Sequence, residues 1–365
     1  MSELLYTDVE EQLRSSVREL LDKRAPSAAV LARTESDERY DPALWTALAM
    51  ETGVAGLAVP ESAGGHGASW REVAVVAEEL GRSVAGTPFL GSAVLSTALA
   101  LSAAAHDLLA GLASGSTTAA LAVALSTTPG APFPTGVRLD GSTVTGTVRS
   151  VADVELADVL VVPAIGSAGP VVVSVRAADV LRAGVVPLDL TRPLTDLTFE
   201  SAAASVIASG DAAVQALTFA LEAGAVVLAG EQVGLAERCL QLSVEHLRTR
   251  YQFGRPIGSF QALKHRAADL WSAITQARAV ARYAADCLAA VDPDAPIAAC
   301  LAQAYCGPVA VKAAEECVQL HGGIGFTWEH PAHLYLKRAK ADAIALGTAS
   351  QHRARLATLV DLPAA

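Results

Sequence analysis

The sequence predicts an α+β protein with three parts: an N-terminal helical domain, a middle antiparallel β domain and a C-terminal four-helix bundle. Apolar residues recur at helical spacing before about residue 115 and after about residue 209, whereas the residues between them form short runs rich in Val and Thr. No helix-length segment interrupts these runs, which favours an antiparallel sheet over alternating strands and helices. We therefore expect domains at residues 1–115, 116–208 and 209–365.

Local signals support each part in turn. In the first domain, Ser69 followed by Glu72 is the pattern of a capping box at the start of a helix. In the middle domain, "DGS" and "TG" indicate turns between strands. In the last domain one helix is expected to end near Arg250, and Ser259 is expected to cap the next. Long helices are expected there at 260–290, 295–319 and 330–357.

Composition and charge narrow the functional classes. Apolar residues make up 52% of the chain and charged residues 18%, as in a globular protein with a large core. The formal net charge of −11 argues against general binding to nucleic acid or to a membrane surface. The start of the chain lacks a basic segment and an apolar core, so we expect no signal peptide. The cysteines lack CxxC spacing, and we expect buried thiols in a reducing cytoplasm for Cys239, Cys287, Cys300, Cys306 and Cys317.

Two segments of the last domain carry features that packing alone does not explain. The segment "RTRYQFGRPIGSFQALKHRAADL" concentrates basic side chains in an acidic chain. It is either a solvated basic face or a surface that binds an anion. The segment "QLHGGIG" places Gly322 and Gly323 directly after a helix. These glycines form either a simple cap and turn or a place where a bulky anion approaches bare backbone N–H groups.

Together these segments resemble the acyl-CoA dehydrogenases. The first segment is followed by "QLHGGIGFTWEHPAHLYLKRAKA", and the N-terminal "WTALAMETGVAGLAVPESAGGHGASWREVAVVAEELGRS" is similar to that family's first domain. The resemblance covers nearly the whole chain in the same order. It implies oxidation of an acyl-CoA thioester to the 2,3-enoyl product, with a carboxylate as base, FAD as hydride acceptor and an electron-transfer flavoprotein as a possible next acceptor.

The resemblance also implies which residues contact the cofactor. In the family, a neighbouring subunit grips the ADP half of FAD. The residues at the matching positions are Arg250, Phe253, Gln261, Gln319, Gly322 and Gly323. A guanidinium suits the pyrophosphate, and paired glycines permit its close approach. On this hypothesis, the bare backbone at "HGGIG" makes room for a dinucleotide seated mainly in the partner chain.

The chain departs from the family at the catalytic base. The family's usual glutamate position is Leu346, and its less common position falls at Gly224 or Ala225. Neither position holds a carboxylate. Glu222 and Glu231 are the nearby substitutes, and Glu231 lies two helical turns, roughly 10 Å, beyond the second position on the same helix face. Glu231 is a candidate base, with a polar or cofactor-adjacent role in the bundle as the alternative.

The middle domain departs from the family as well. Family members carry "TEPxxGSD" and a later Trp-Ile-Thr run, which wrap the flavin. The matching stretches here are "ALSTTPGAPFPTG" and "GTVRSVADVELAD". These losses suggest that the chain does not hold an isoalloxazine ring in its own β domain.

One hypothesis accounts for what is kept and what is lost. The chain resembles the non-catalytic subunit of the heteromeric α2β2 acyl-CoA dehydrogenases of actinobacterial sterol side-chain breakdown, which contain half the usual number of flavins. We expect a second, glutamate-bearing subunit. Three alternatives stay open: a self-sufficient homotetramer with a non-standard base, an oxidase-like enzyme, and a non-catalytic subunit that binds CoA thioesters or a partner protein.

Three histidines near the glycine turn raise the question of a metal site. His321, His330 and His333 lie on both sides of this turn, and no cysteine or carboxylate cluster completes a ligand set around them. We therefore expect ring packing or surface exposure for these side chains, and no metal.

Overall fold

The helical, β and helical parts follow one another in the predicted order. The computed structural model describes residues 4–36 and 38–362, so the outer ends of the first and third predicted domains lie outside the described residues. The first part contains α1 to α6, with π-helical turns at Ala47–Glu51 and Phe89–Ser96. These helices are Asp8–Arg24, Ser27–Thr34, Pro42–Thr46, Trp70–Ser83, Thr97–Ser102 and His106–Ala113.

The middle part is one twisted sheet of seven strands. They are β1 Ala119–Leu121, β2 Val137–Asp140, β3 Thr143–Ala152, β4 Val159–Gly166, β5 Gly169–Arg176, β6 Leu181–Val185 and β7 Leu194–Ser209. The order is β1-β4-β2-β3-β7-β5, with β6 also paired to β7 and β4 to β5. Pairing is antiparallel except between β1 and β4 and at one bridge between β2 and β4. The predicted antiparallel domain is therefore confirmed, with a parallel edge added.

The last part is a bundle built around one very long helix. Its elements are α7 Asp211–Thr249, a small hairpin of β8 Tyr251–Gln252 and β9 Arg255–Pro256, α8 Gln261–Ala289, α9 Ala295–His321, α10 Ala332–Asp342 and α11 Ala349–Leu359. Strand β1 starts after the predicted boundary at residue 115, and α7 starts two residues beyond β7. The division at 1–115, 116–208 and 209–365 stays a working prediction.

Two of the predicted details of the helices need correction. Ser259 does not cap α8, because it lies in a 3₁₀ turn and Phe260 is the N-cap, without a side-chain hydrogen bond. The helix predicted at 330–357 is two helices, because the backbone takes left-handed φ values at Leu346 (54°) and Gly347 (105°). Thr348 then caps α11 in a capping box with Gln351. By contrast, the predicted box of Ser69 and Glu72 is present at the start of α4.

The small residues of α7 serve close helix packing. A Cβ atom added at Gly230 would lie 2.9 Å from the carbonyl oxygen of Ala74 on α4, and one at Gly234 would overlap the carbonyl oxygen of Glu78. Helices α7 and α9 are long and apolar enough to cross a membrane by length and composition alone, but 67% of the most apolar window in each is buried inside the structure. They are core helices of the bundle.

A buried hydrogen-bond pair joins the first part to the sheet. The Tyr40 hydroxyl donates to the Asp153 carboxylate just beyond β3, and the Gly91 N–H donates to the other oxygen of Asp153 at 2.6 Å. Both Tyr40 and Asp153 are almost fully buried. Asp153 has a left-handed φ of 63°, which these two bonds help to maintain.

We expect Tyr40→Phe to lower the free energy of unfolding by about 1–3 kcal/mol, because a buried carboxylate loses one of its partners. Urea unfolding followed by circular dichroism measures the change. The matched control is Tyr305→Phe, which removes an exposed hydroxyl bonded to Gln276 and should cost about 0.5 kcal/mol or less. Equal losses in the two variants would contradict the structural role of the Tyr40–Asp153 bond.

Candidate cofactor and active site

The two positions that could carry a catalytic base meet at one point. A Cβ atom added at Gly224 on α7 would lie 2.9 Å from the Leu346 Cδ1 atom and 2.5 Å from the Leu95 Cδ2 atom. Leu346 and Leu95 are both buried. The point between α7 and the α10–α11 turn is therefore filled by aliphatic side chains, and the sequence did not indicate that Leu95 closes it.

The nearest carboxylates already have partners. Glu231 is buried and forms ion pairs with Arg192 at 2.7 Å and Arg338 at 2.8 Å. Burial alone would raise the pKa of Glu231, but the two guanidinium groups outweigh burial and hold it below its usual value. A carboxylate in this state is a poor proton acceptor at neutral pH, so these contacts favour the structural alternative for Glu231. Glu222 is paired with Arg355 on α11.

Glu231 belongs to a buried ion cluster that joins the sheet to the bundle. Arg192 also bonds Asp342 at 2.5 Å, and Arg338 bonds Asp189 at 2.7 Å. Asp189 and Arg192 precede β7, whereas Arg338 and Asp342 lie on α10. Sequence reasoning missed these residues because no local pattern connects groups about 150 positions apart. The charge of Asp189 and Arg192 within the apolar segment before β7 was the only available signal.

The two surfaces that would enclose a flavin ring contact each other directly. The Leu346 N–H donates to the Leu125 carbonyl oxygen, at 2.7 Å, in the stretch that replaces "TEPxxGSD". A Cβ atom at Gly347 would lie 2.7 Å from the side chain of Thr128 in the same loop. In the stretch that replaces the Trp-Ile-Thr run, Asp153 is bonded to Tyr40. These contacts join the first stretch to the α10–α11 turn and the second stretch to the N-terminal part.

The residues expected to contact the ADP half lie at one end of the bundle. Helix α7 ends at Thr249, directly before Arg250, α8 begins at Gln261, and α9 ends just before Gly322. An ion pair of Arg266 with Glu316, at 2.7 Å, holds the start of α8 against the end of α9. The structure thus brings together the helix ends that carry all six expected residues.

These residues are open to the outside. The side chains of Arg250, Gln261 and Gln319 are exposed and form no hydrogen bond or ion pair with any described residue. The Phe253 side chain is 90% exposed. Gly322 has a φ of 62°, which requires glycine, but a Cβ atom at Gly323 would meet nothing within 4 Å. The packing of the chain itself therefore does not explain the second glycine.

Stacked imidazoles join the two halves of this surface. The His321 ring lies 4.6 Å from the His246 ring and 4.2 Å from the His330 ring, measured between centroids. Burial, with the neighbouring imidazoles, lowers the pKa of His330 to about 4. No group of three or more possible metal-ligating side chains occurs among the described residues. The histidines of the glycine turn pack as rings and hold the end of α9 beside the end of α7.

The chain matches known proteins along most of its length. Models of the acyl-CoA dehydrogenase N-terminal and C-terminal domains match residues 7–116 and 214–360. Acyl-CoA dehydrogenase IpdE2 from Mycobacterium tuberculosis is 38% identical over 335 residues, which are 91% of each protein. Acyl-CoA dehydrogenase FadE27 from the same organism is 32% identical over 90% of this chain and 91% of its own length. The chain belongs to the acyl-CoA dehydrogenase family.

Solved structures agree with this assignment. The chain superposes on the ChsE4-ChsE5 complex from Mycobacterium tuberculosis with a TM-score of 0.87 and 27% identity, covering 100% of both chains. It superposes on a variant of the Tcur3481-Tcur3483 steroid acyl-CoA dehydrogenase with a TM-score of 0.85 and 28% identity, covering 97% of this chain and 98% of the other. Butyryl-CoA dehydrogenase from Megasphaera elsdenii has the same fold, with a TM-score of 0.87, 22% identity and coverage of 98% and 99%.

We expect the ion cluster to make stability depend on pH. Burial, and then Glu231, raise the pKa of Asp342 to about 8, and its second oxygen has no hydrogen-bond partner among the described residues. Because the pKa of Asp342 is higher in the folded chain than in the unfolded chain, the folded state binds this proton more tightly. The resulting stabilisation is present at low pH and is lost as pH rises through the pKa of the folded state. The free energy of unfolding should therefore fall as pH rises from about 4 to about 8, by at most about 1.4 kcal/mol per pH unit.

Asp342→Asn should flatten this part of the pH profile, because an amide stays neutral. Urea unfolding at pH 5, 6, 7 and 8 measures the slope. Asp140→Asn, on the exposed end of β2, is the matched control and should keep the wild-type slope. If Asp342→Asn keeps the wild-type slope, the pH dependence of stability does not come from Asp342.

Proposed function

We propose that this chain is the subunit of a heteromeric acyl-CoA dehydrogenase that lacks the catalytic base. It binds the ADP half of FAD, and the isoalloxazine ring and the glutamate base belong to a second acyl-CoA-dehydrogenase-like subunit. The observation that carries the proposal is the aliphatic contact of Leu346, Leu95 and Gly224, where a base would have to stand. The reaction of the assembled enzyme is α,β-desaturation of an acyl-CoA thioester.

The residues of the bundle end fit the ADP half, and those of the sheet do not fit the ring. Arg250 offers an unpaired guanidinium whose planar fork suits a pyrophosphate. Gln261 and Gln319 offer exposed amides, and Gly323 offers bare backbone with open space in front of it. At the sheet, by contrast, the Leu346 N–H and the Leu125 carbonyl group satisfy each other.

In this mechanism this chain binds and orients the ADP half of FAD, and the partner subunit performs the chemistry. Bound FAD supplies the hydride acceptor. Arg250 neutralises diphosphate charge, and Gly322 and Gly323 let the diphosphate approach backbone N–H groups. The imidazole rings of His246, His321 and His330 hold the end of α7, which carries Arg250, beside the glycine turn. The electrons would pass to an electron-transfer flavoprotein, the acceptor that the family resemblance implies.

Exposed apolar side chains beside this surface support a partner chain. Tyr251, Phe253, Phe326 and Trp328 are each more than half exposed at the same end of the bundle. Aromatic clusters of this kind are typical of protein interfaces. The similarity to the ChsE4-ChsE5 complex and to the Tcur3481-Tcur3483 steroid acyl-CoA dehydrogenase supports an α2β2 assembly and a role in steroid breakdown. The five buried cysteines are unpaired, which supports a cytoplasmic location.

A self-sufficient homotetramer is the less favoured function. It would need Glu231 or another carboxylate as base, and Glu231 is held between two arginines. The two functions make opposite predictions for the isolated chain. Purified alone near neutral pH, the chain should lack stoichiometric flavin absorbance and should turn over no acyl-CoA. Stoichiometric FAD with turnover by the isolated chain would overturn the proposal.

We expect Gly323→Ala to reduce FAD affinity in the assembled complex roughly tenfold, because the added methyl group occupies the surface assigned to the diphosphate. The melting temperature of the chain itself should not change, since the new Cβ atom meets nothing within 4 Å. Fluorescence of FAD released on dilution measures the affinity. Gly184→Ala on β6 also points into open space and should retain wild-type affinity. Identical FAD retention in the two variants would count against the assigned surface.

A further inference from the structure

A second basic site lies between the N-terminal helices and the bundle. A cavity of 370 Å³ is bordered by the end of α1, the start of α2, the end of α4, and single residues of α7 and α10. Three guanidinium groups line it, from Arg18, Arg82 and Arg238. In a chain with a formal net charge of −11, three arginines around one cavity point to an anionic occupant.

The charge in this cavity is only partly neutralised. Arg18 forms a two-pronged contact with Glu79, at 2.8 and 2.7 Å, and Arg14 contacts the same carboxylate at 3.2 Å. The hydrogen bonds of Glu79 are therefore made to Arg18 and Arg14. The guanidinium of Arg82 forms no hydrogen bond or ion pair with any described residue.

The remaining arginine is also weakly paired. Among the described residues, the only carboxylate within 4 Å of Arg238 is that of half-exposed Glu245, at 3.8 Å, and the Arg238 side chain also interacts with the Tyr335 hydroxyl. Burial, then the like charges of Arg18 and Arg238, lower the pKa of Arg82 by more than the carboxylates of Glu79 and Asp22 raise it. Only Asp22, exposed on α1, adds a further negative charge to the lining. Net positive charge therefore stays in the cavity.

The walls of the cavity are held in place. The Tyr335 hydroxyl on α10 donates to the Arg82 carbonyl oxygen at 2.9 Å, which fixes the end of α4 against the bundle. Helix α2 begins at Ser27 on the cavity wall, and no side chain caps its first N–H groups. Those groups add donors to the three guanidiniums but would not make a site alone.

We propose that the arginine cavity, defined by Arg18, Arg82 and Arg238, binds a phosphate group, either as the free ion or as the phosphate ester of a small metabolite. Guanidinium forks match the oxygens of a tetrahedral anion, and the cavity has the volume of a small-ligand site. Bound phosphate joins α4 of the first part to α7 and α10 of the bundle. The site is separate from the surface assigned to FAD, since Arg238 lies about 18 Å from Arg250 along α7.

Isothermal titration of the purified chain with inorganic phosphate and with glycerol 3-phosphate, at ionic strength matched with sodium chloride, tests the proposal. We expect saturable one-to-one binding of at least one probe. Arg82→Gln should weaken it about tenfold or more, because one charge-assisted contact is lost. Tighter binding of glycerol 3-phosphate identifies an ester as the ligand, and equal or tighter binding of inorganic phosphate identifies the free ion.

Two controls keep the result interpretable. Arg182→Gln removes an exposed arginine of a different cavity beside β6 and should leave binding unchanged. Arg82→Lys keeps the charge, so this variant should bind the probes more weakly than the wild type but more tightly than Arg82→Gln. If Arg82→Gln does not fold, Arg82→Lys and Arg238→Gln take its place in the comparison. The absence of saturable binding of both probes, or equal affinities in the wild type and Arg82→Gln, would overturn the proposal.

Discussion

The contact between the sheet and the α10–α11 turn is the constraint on which the rest of the molecule depends. The Leu346 N–H is bonded to the Leu125 carbonyl oxygen, and the Leu346 side chain packs against Leu95 over Gly224. Because an aliphatic contact replaces polar chemistry there, this part of the fold is a packed core. The adjacent ion cluster around Glu231 then locks the sheet onto the bundle, so its carboxylates and guanidiniums hold two domains together.

The end of the bundle has the opposite character. The side chains of Arg250, Gln261 and Gln319 form no hydrogen bond or ion pair with any described residue, and aromatic side chains such as Phe253 remain exposed. Leaving such groups open has no benefit for an isolated monomer, since buried packing stabilises and exposed aromatic surface promotes association. The aliphatic contact at Leu346 and the open end of the bundle together support the proposal that this chain completes a site in another subunit. The imidazole contacts of His321 with His246 and His330 hold the ends of α7 and α9 beside each other there.

Local patterns in the sequence predicted much of the fold. The order of domains, the long helices and the capping box of Ser69 each depend on residues a few positions apart. The break at Leu346 was missed because a left-handed leucine is imposed by tertiary contacts and contradicts its own propensity. The close packing of Gly230 and Gly234 depends on the position of α4, which no local pattern in the sequence gives. The pairing of Tyr40 with Asp153 and of Arg192 with Asp342 joins distant positions that no periodicity connects.

The central claim is that this chain contacts the ADP half of a dinucleotide whose reactive ring belongs to another subunit. Photolabelling the assembled complex with FAD that carries an 8-azidoadenine group, followed by peptide mass spectrometry, tests it most directly. The account predicts that label on this chain falls within residues 250–261 or 319–323, where the open helix ends meet. Label confined to the other subunit, or label on this chain only within residues 121–154 of its own sheet, would contradict it.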